Sequence, residues 1–306
     1  MSAAPDINTD RSARPAASAG NGGFLATLPG KITTAALTVI AIVTAAFGAG
    51  AFGGTPIQDA AGGWLGPDGT WIAPASTAFS IWSVIYLGLI AYTVWQFFPS
   101  ADTARHHRLR PWILAGILLN SLWIWTVQAG WLAVSVVVIA LLLAVLCRIL
   151  VVKENMRVNG WGERILVDGV QGLYLGWVSI ATVANVAAWL ASMGWTGAPV
   201  GPIVWTNIVI VVATLVGAFT AVYSGGRLMP AVGLAWGLAW VAVGRSDGTG
   251  LNSASVAITA AGAALIVLIA WAVSLWLSSR SATGEARDLI LDALDGVGDP
   301  VDGRRA

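Results

Sequence analysis

Two aromatic residues with polar tips, one small residue and one amide share a face of the segment 173–185, Leu-Tyr-Leu-Gly-Trp-Val-Ser-Ile-Ala-Thr-Val-Ala-Asn. At about 100° per residue, a helix brings Tyr174, Trp177, Ala181 and Asn185 to one side. An amide or indole N–H left bare in hydrocarbon is costly. This face is therefore expected to meet protein, water or a ligand rather than lipid. Two further pairs have helical spacing. Trp82 and Tyr86 are four residues apart, and Asn120 and Trp123 are three apart. Each pair shares a helix face. Indoles, phenols and amides in this pattern suit recognition of a flat apolar molecule with a polar edge. Asn120 is equally suited to hydrogen bonding between helices.

The elements that must position these residues are membrane helices. Of 306 residues, 57% are hydrophobic and 10% are charged, far below the charged fraction of soluble domains. Net charge is +1, which gives no reason to expect nucleic acid as a partner. Cys147 is the only cysteine, so no internal disulfide forms. Apolar runs near 33–52, 75–97, 111–129, 131–152, 166–192, 202–223, 228–244 and 254–278 are each close to the length a bilayer requires. They predict an all-α membrane bundle with eight spans, of which 228–244 is short and carries Pro230. Most of the seventeen tryptophans, including Trp112, Trp131, Trp161, Trp195 and Trp276, read as interfacial belts. Residues 1–30 read as a disordered tail. Residues 280–306 read as a solvated acidic tail, with a short amphipathic helix at 288–294 as the alternative.

Charge distribution orients the bundle. With eight spans, fifteen of the sixteen Lys and Arg residues fall on one side, and Arg245 alone falls on the other. This bias predicts cytoplasmic N- and C-termini in a plasma or inner membrane. No catalytic or metal-binding residue is assigned: His106 and His107 read as solvated members of a basic loop, and no cluster has metal-ligand spacing. Asp168 reads as a carboxylate near the headgroups, paired with Arg164 or snorkelling, with a proton relay as the sharper alternative. Gly172 and Gly176 form a small-xxx-small pair suited to tight packing within the chain or to a homodimer.

Three of these motifs, taken in order, resemble the TspO/MBR family, the tryptophan-rich sensory or translocator proteins. Tyr174, Leu175, Trp177, Ala181, Thr182 and Asn185 match the family's last-helix pattern. Asn120 and Trp123 match its Leu-Asn-x-x-Trp signature. Pro74, Phe79, Trp82 and Tyr86 follow its second helix, with two departures. Ala73-Pro74 stands where two prolines are usual, and two residues rather than three separate Phe79 from Trp82. The resemblance implies a five-helix membrane domain over 31–200, extended by three helices over 201–279.

The resemblance also implies function. The lipid bilayer is the surrounding partner, and a hydrophobic planar ligand, a porphyrin, haem or sterol-like molecule, is the small-molecule partner. No cofactor is required. Trp82, Tyr86, Asn120, Trp123, Tyr174, Trp177, Ala181 and Asn185 are the expected ligand contacts, for sensing or transport. Trp82 and Tyr86 would form one aromatic wall, Trp123 and Trp177 the facing surfaces. The alternative is a secondary transporter of a small solute, which the scarcity of ionisable residues in the spans disfavours and the Pro230 break favours. Porphyrin degradation by tryptophan photochemistry is a third reading.

Overall fold

The computed structural model describes residues 23–50, 52–154 and 156–295, with backbone alone over 282–295. Among the described residues, eight long helices make up the bundle. They are α1 Leu28–Gly48, α2 Ile81–Trp95, α3 Ala104–Gln128, α4 Leu132–Glu154, α5 Gly160–Ser192, α6 Pro202–Tyr223, α7 Leu228–Gly244 and α8 Ala254–Asp295. No strand occurs among the described residues. Helices close every backbone hydrogen bond within one segment, which a lipid environment demands. Among the described residues, six helices are long and apolar enough to cross a membrane, α2 being counted with the 3₁₀ turn Ser76–Ser80 that precedes it; α7 is apolar but shorter, and α3 begins with the basic run 104–110.

Several boundaries differ from the sequence expectation. Residues 23–30 are helical rather than part of a tail: a turn spans Gly23–Ala26, and Thr27 caps α1 by accepting from Gly30 N. Residues 1–22 and 296–306 lie outside the described residues. The backbone of α8 stays helical to Asp295, where a solvated tail was expected. α3 starts at Ala104, capped by the Thr103 hydroxyl, and carries Pro111 inside it. His106 therefore does not lie in a solvated loop. It is fully buried, with Nε2 2.9 Å from the Tyr92 hydroxyl and Nδ1 2.7 Å from the Ala101 carbonyl. A carbonyl only accepts, so Nδ1 carries the proton and a neutral Nε2 accepts from Tyr92.

Asp168 also departs from expectation. It lies in a π-helical stretch of α5, Glu163–Gly169, and does not pair with Arg164, whose guanidinium sits over the Trp161 ring. Instead its carboxylate accepts from Arg105 of α3 at 2.5 Å and from Arg227, just before α7, at 2.7 Å, with Lys153 of α4 at 3.9 Å. Glu163 stands 3.5 Å from Arg105, and Glu154 stands 2.7 Å from Arg227. Arg105, Lys153, Glu163 and Asp168 are all buried. Buried charges persist only when paired and hydrogen-bonded in this way. The spans therefore hold more ionisable groups than the sequence suggests, gathered at one end of the bundle.

Packing runs from α1 to α3, α4, α5, α7 and α8, with α6 lying on α8. At the α5–α7 crossing the two backbones approach closely through glycines. A Cβ on Gly176 would overlap the Pro230 carbonyl, and one on Gly233 would overlap the Leu173 carbonyl. The small-xxx-small pair is thus used within the chain. Beyond this crossing, Trp236 of α7 donates its indole N–H to Ala78 O at 3.0 Å, and Ala75 N donates to Trp240 O at 3.0 Å. α7 thereby holds the turn that leads into α2. Gly176→Ala is expected to destabilise the protein by about 1–3 kcal/mol, the usual cost of overpacking. Gly262→Ala, where an added Cβ meets nothing within 4 Å, is expected to leave the melting temperature in detergent unchanged.

Candidate functional site

The eight candidate residues project from α2, α3 and α5 toward the bundle interior. On α5, Tyr174, Trp177 and Asn185 are buried, and Ala181 is half-buried one turn beyond Trp177. On α3, Asn120 and Trp123 are buried. On α2, Trp82 and Tyr86 are half-buried and pack against the core. The structure brings the seven polar and aromatic members together, with Ala181 on the same face of α5.

Trp82 is the centre. Its ring lies 5.4 Å from Tyr86 and 6.4 Å from Trp123, both roughly parallel. It meets Tyr174 at 5.6 Å and Trp177 at 6.3 Å, both edge-on. Offset stacks and T-shaped contacts are the favoured ring geometries. Phe79 extends the cluster by packing edge-on to Trp177 at 5.8 Å. The altered Phe-to-Trp spacing is accommodated by the 3₁₀ turn Ser76–Ser80 that precedes α2. Phe79, inside that turn, and Trp82, in the first turn of α2, both reach Trp177. Trp82 does not stand across an open gap from Trp123. A flat ligand between two rings needs about 7 Å, twice the van der Waals contact distance, so Trp82 occupies the space that such a ligand would take.

The polar tips form two groups. Trp123 Nε1 donates to Asn185 Oδ1 at 2.7 Å, and Asn185 Nδ2 donates to the Ser135 hydroxyl of α4 at 2.9 Å. Asn120 Nδ2 donates to the Tyr86 hydroxyl at 3.0 Å, and the Tyr174 hydroxyl reaches Gly116 O at 3.4 Å. Among the described residues, Asn120 Oδ1 and Trp177 Nε1 are buried with no hydrogen-bond partner. Most buried polar atoms are satisfied, so one acceptor and one donor here are left to serve something else.

Sequence reasoning missed two members of the site. Ser135 is a lone hydroxyl in the apolar run of α4, and that isolation was the available signal. Phe79 was part of a quoted motif, but its contact depends on the 3₁₀ turn. The Asn185 network is also structural: Asn185→Ala strands Trp123 Nε1, whereas the Ser135 hydroxyl still donates to Leu132 O at 2.8 Å. A loss of about 1–3 kcal/mol, the cost of an unsatisfied buried polar group, is expected in thermal unfolding, with a change in tryptophan emission.

The matched stretch of one family model, described as TSPO-like protein, covers residues 31–273. It runs from the first turns of α1 into α8, includes α6 and α7, and contains all eight candidate residues. No curated protein and no solved structure is matched. With well over half of its length inside that match, the chain belongs to the TSPO-like protein family.

Proposed function

We propose that this membrane protein binds a flat, hydrophobic ligand of the tetrapyrrole or sterol-like class at the Trp82 cluster, as a sensor or translocator. The observation that carries the reading is the pair of unpartnered buried atoms, Asn120 Oδ1 and Trp177 Nε1, among six packed aromatic rings. A planar ring system with a polar edge matches both features. Trp82 is half-buried, whereas Trp123, Tyr174 and Trp177 are buried, so Trp82 is the ring that swings aside. The ligand then replaces its contacts with Trp123 and Trp177. Trp123 stays oriented by Asn185 and Ser135 throughout. Asn120 and Trp177 gain the partners they lack.

Protoporphyrin titrated into purified protein is expected to quench tryptophan emission saturably. Trp177→Ala should weaken affinity by about 1–3 kcal/mol, the scale of a lost aromatic anchor. Trp276, exposed beneath the Arg280 guanidinium, serves as control: equal losses in Trp276→Ala would show that quenching reports partitioning and would remove the site. Secondary transport remains the competing reading, favoured by the buried charges around Asp168. Those charges sit at the ends of helices and satisfy one another, whereas coupling sites usually lie near the midplane.

The lysine and arginine bias supports cytoplasmic termini. In a Cys147→Ser background, cysteines at the exposed positions Thr196 and Ser246 should be labelled by an impermeant maleimide from outside the cell, and those at Ser100 and Ser281 should not. Outside labelling of Ser281 would remove this topology.

A further inference from the structure

A second cavity lies on the far side of α5 from the Trp82 cluster. It encloses about 670 Å³, within the range of roughly 300–1,000 Å³ typical of small-molecule sites. Val183, Val186 and Leu190 of α5 form one wall. At about 100° per residue they face away from Trp177, Ala181 and Asn185. Trp205, Thr206 and Val209 of α6 form the opposite wall, and residues 69–72 form the roof. The cavity exists because α6 packs on α8 rather than on α5.

Arg245 holds the roof in place. It is buried at the end of α7 and donates to the carbonyls of Thr70 at 3.0 Å, Ala73 at 3.2 Å and Pro67. Thus the one basic residue at this end of the bundle fixes a loop over an apolar chamber. The lining defines what fits inside. It holds no ionisable side chain among the described residues, and an ion would lose its hydration there without compensation. Thr182 and Thr206 already donate to the carbonyls of Val178 and Pro202, each at 2.8 Å. Thr70 Oγ1, in the roof, is buried with no partner among the described residues. Trp71, Trp195 and Trp205 supply ring faces, and the last two are partly exposed at the rim.

We infer that this cavity binds a neutral amphiphile with a flat, oxygen-bearing ring headgroup and an aliphatic tail, of the quinone type. The ring lies among Trp71, Trp195 and Trp205, one ring oxygen accepts from the Thr70 hydroxyl, and the tail follows the aliphatic wall of α5 and α6 toward lipid. Aromatic faces favour a ring over a bare acyl chain, and an unpaired hydroxyl favours a headgroup with an acceptor. This site shares no residue with the Trp82 cluster and stands or falls separately from it.

The test uses the full chain in lipid nanodiscs, with decyl-benzoquinone as probe and decane as the headless control. Binding is read by saturable tryptophan quenching, and by competition for quinones, which do not themselves need to be fluorescent. Val209→Trp, which fills the chamber, is expected to raise the dissociation constant at least tenfold. Thr70→Val, which keeps shape but removes the hydroxyl, should raise it several-fold. Trp276→Ala, at an exposed position away from the cavity, should leave it unchanged, and excess protoporphyrin should not compete. If Val209→Trp fails to fold, judged by thermal unfolding, Thr70→Val and Trp205→Ala carry the test. Unchanged affinity in these variants overturns the site. Decane competing as well as the quinone also overturns it, because the chamber then holds acyl chains only. Displacement of the quinone by protoporphyrin would place the probe in the Trp82 cluster and overturn it as well.

Discussion

The bundle depends on one buried carboxylate. Asp168 gathers Arg105, Arg227 and Lys153 from three other parts of the chain. Removing one partner of such a group leaves an uncompensated charge, typically worth about 3–5 kcal/mol. The consequences extend outward. α3 begins about two turns before its apolar run, and Arg105 in its first turn reaches Asp168. The π-helical stretch of α5 turns Asp168 inward, where Arg164 is not its partner. Arg227 brings the start of α7 against α5, and the glycines at 172, 176 and 233 allow the backbones to close. α7 then continues to the other end, where Trp236 and Trp240 hold the turn before α2. The position of Trp82 is therefore set, through α7, from the opposite end of the molecule.

The aromatic cluster is stable because it is complete without a ligand. Its ring contacts each contribute about 0.5–1.5 kcal/mol beyond simple burial, and Trp123 is fixed by Asn185 and Ser135. A ligand bound as proposed would have to replace those contacts ring for ring, which would select flat aromatic or polycyclic shapes. On that proposal, Asn120 Oδ1 and Trp177 Nε1, buried without partners among the described residues, would favour a ligand with a polar edge.

α6 to α8 are more than an appendage to the first five helices. α7 crosses α5 tightly through glycines, and α8 packs along both α6 and α7. The roof held by Arg245 and the chamber beneath it exist only because these helices are present.

Local periodicity and composition were enough to determine much of this. The sequence by itself determined the membrane class, the eight helices and the shared faces of Tyr174, Trp177 and Asn185, of Trp82 and Tyr86, and of Asn120 and Trp123. Residues three or four apart on a helix must lie together, and apolar runs of about twenty residues have few other fates. What it did not determine were the pairings between helices. His106 read as a solvated loop residue because its partners Tyr92 and Ala101 come from the preceding helix and turn. Asp168 read as a partner of its neighbour Arg164 because Arg105 and Arg227 are about sixty residues away in either direction. Whether facing aromatics leave a gap or fill it, and whether two adjacent helices touch or enclose a chamber, depends on crossing geometry. Only the tertiary structure decided those points, since they are set by backbones meeting at glycines and by charges that pair across the bundle.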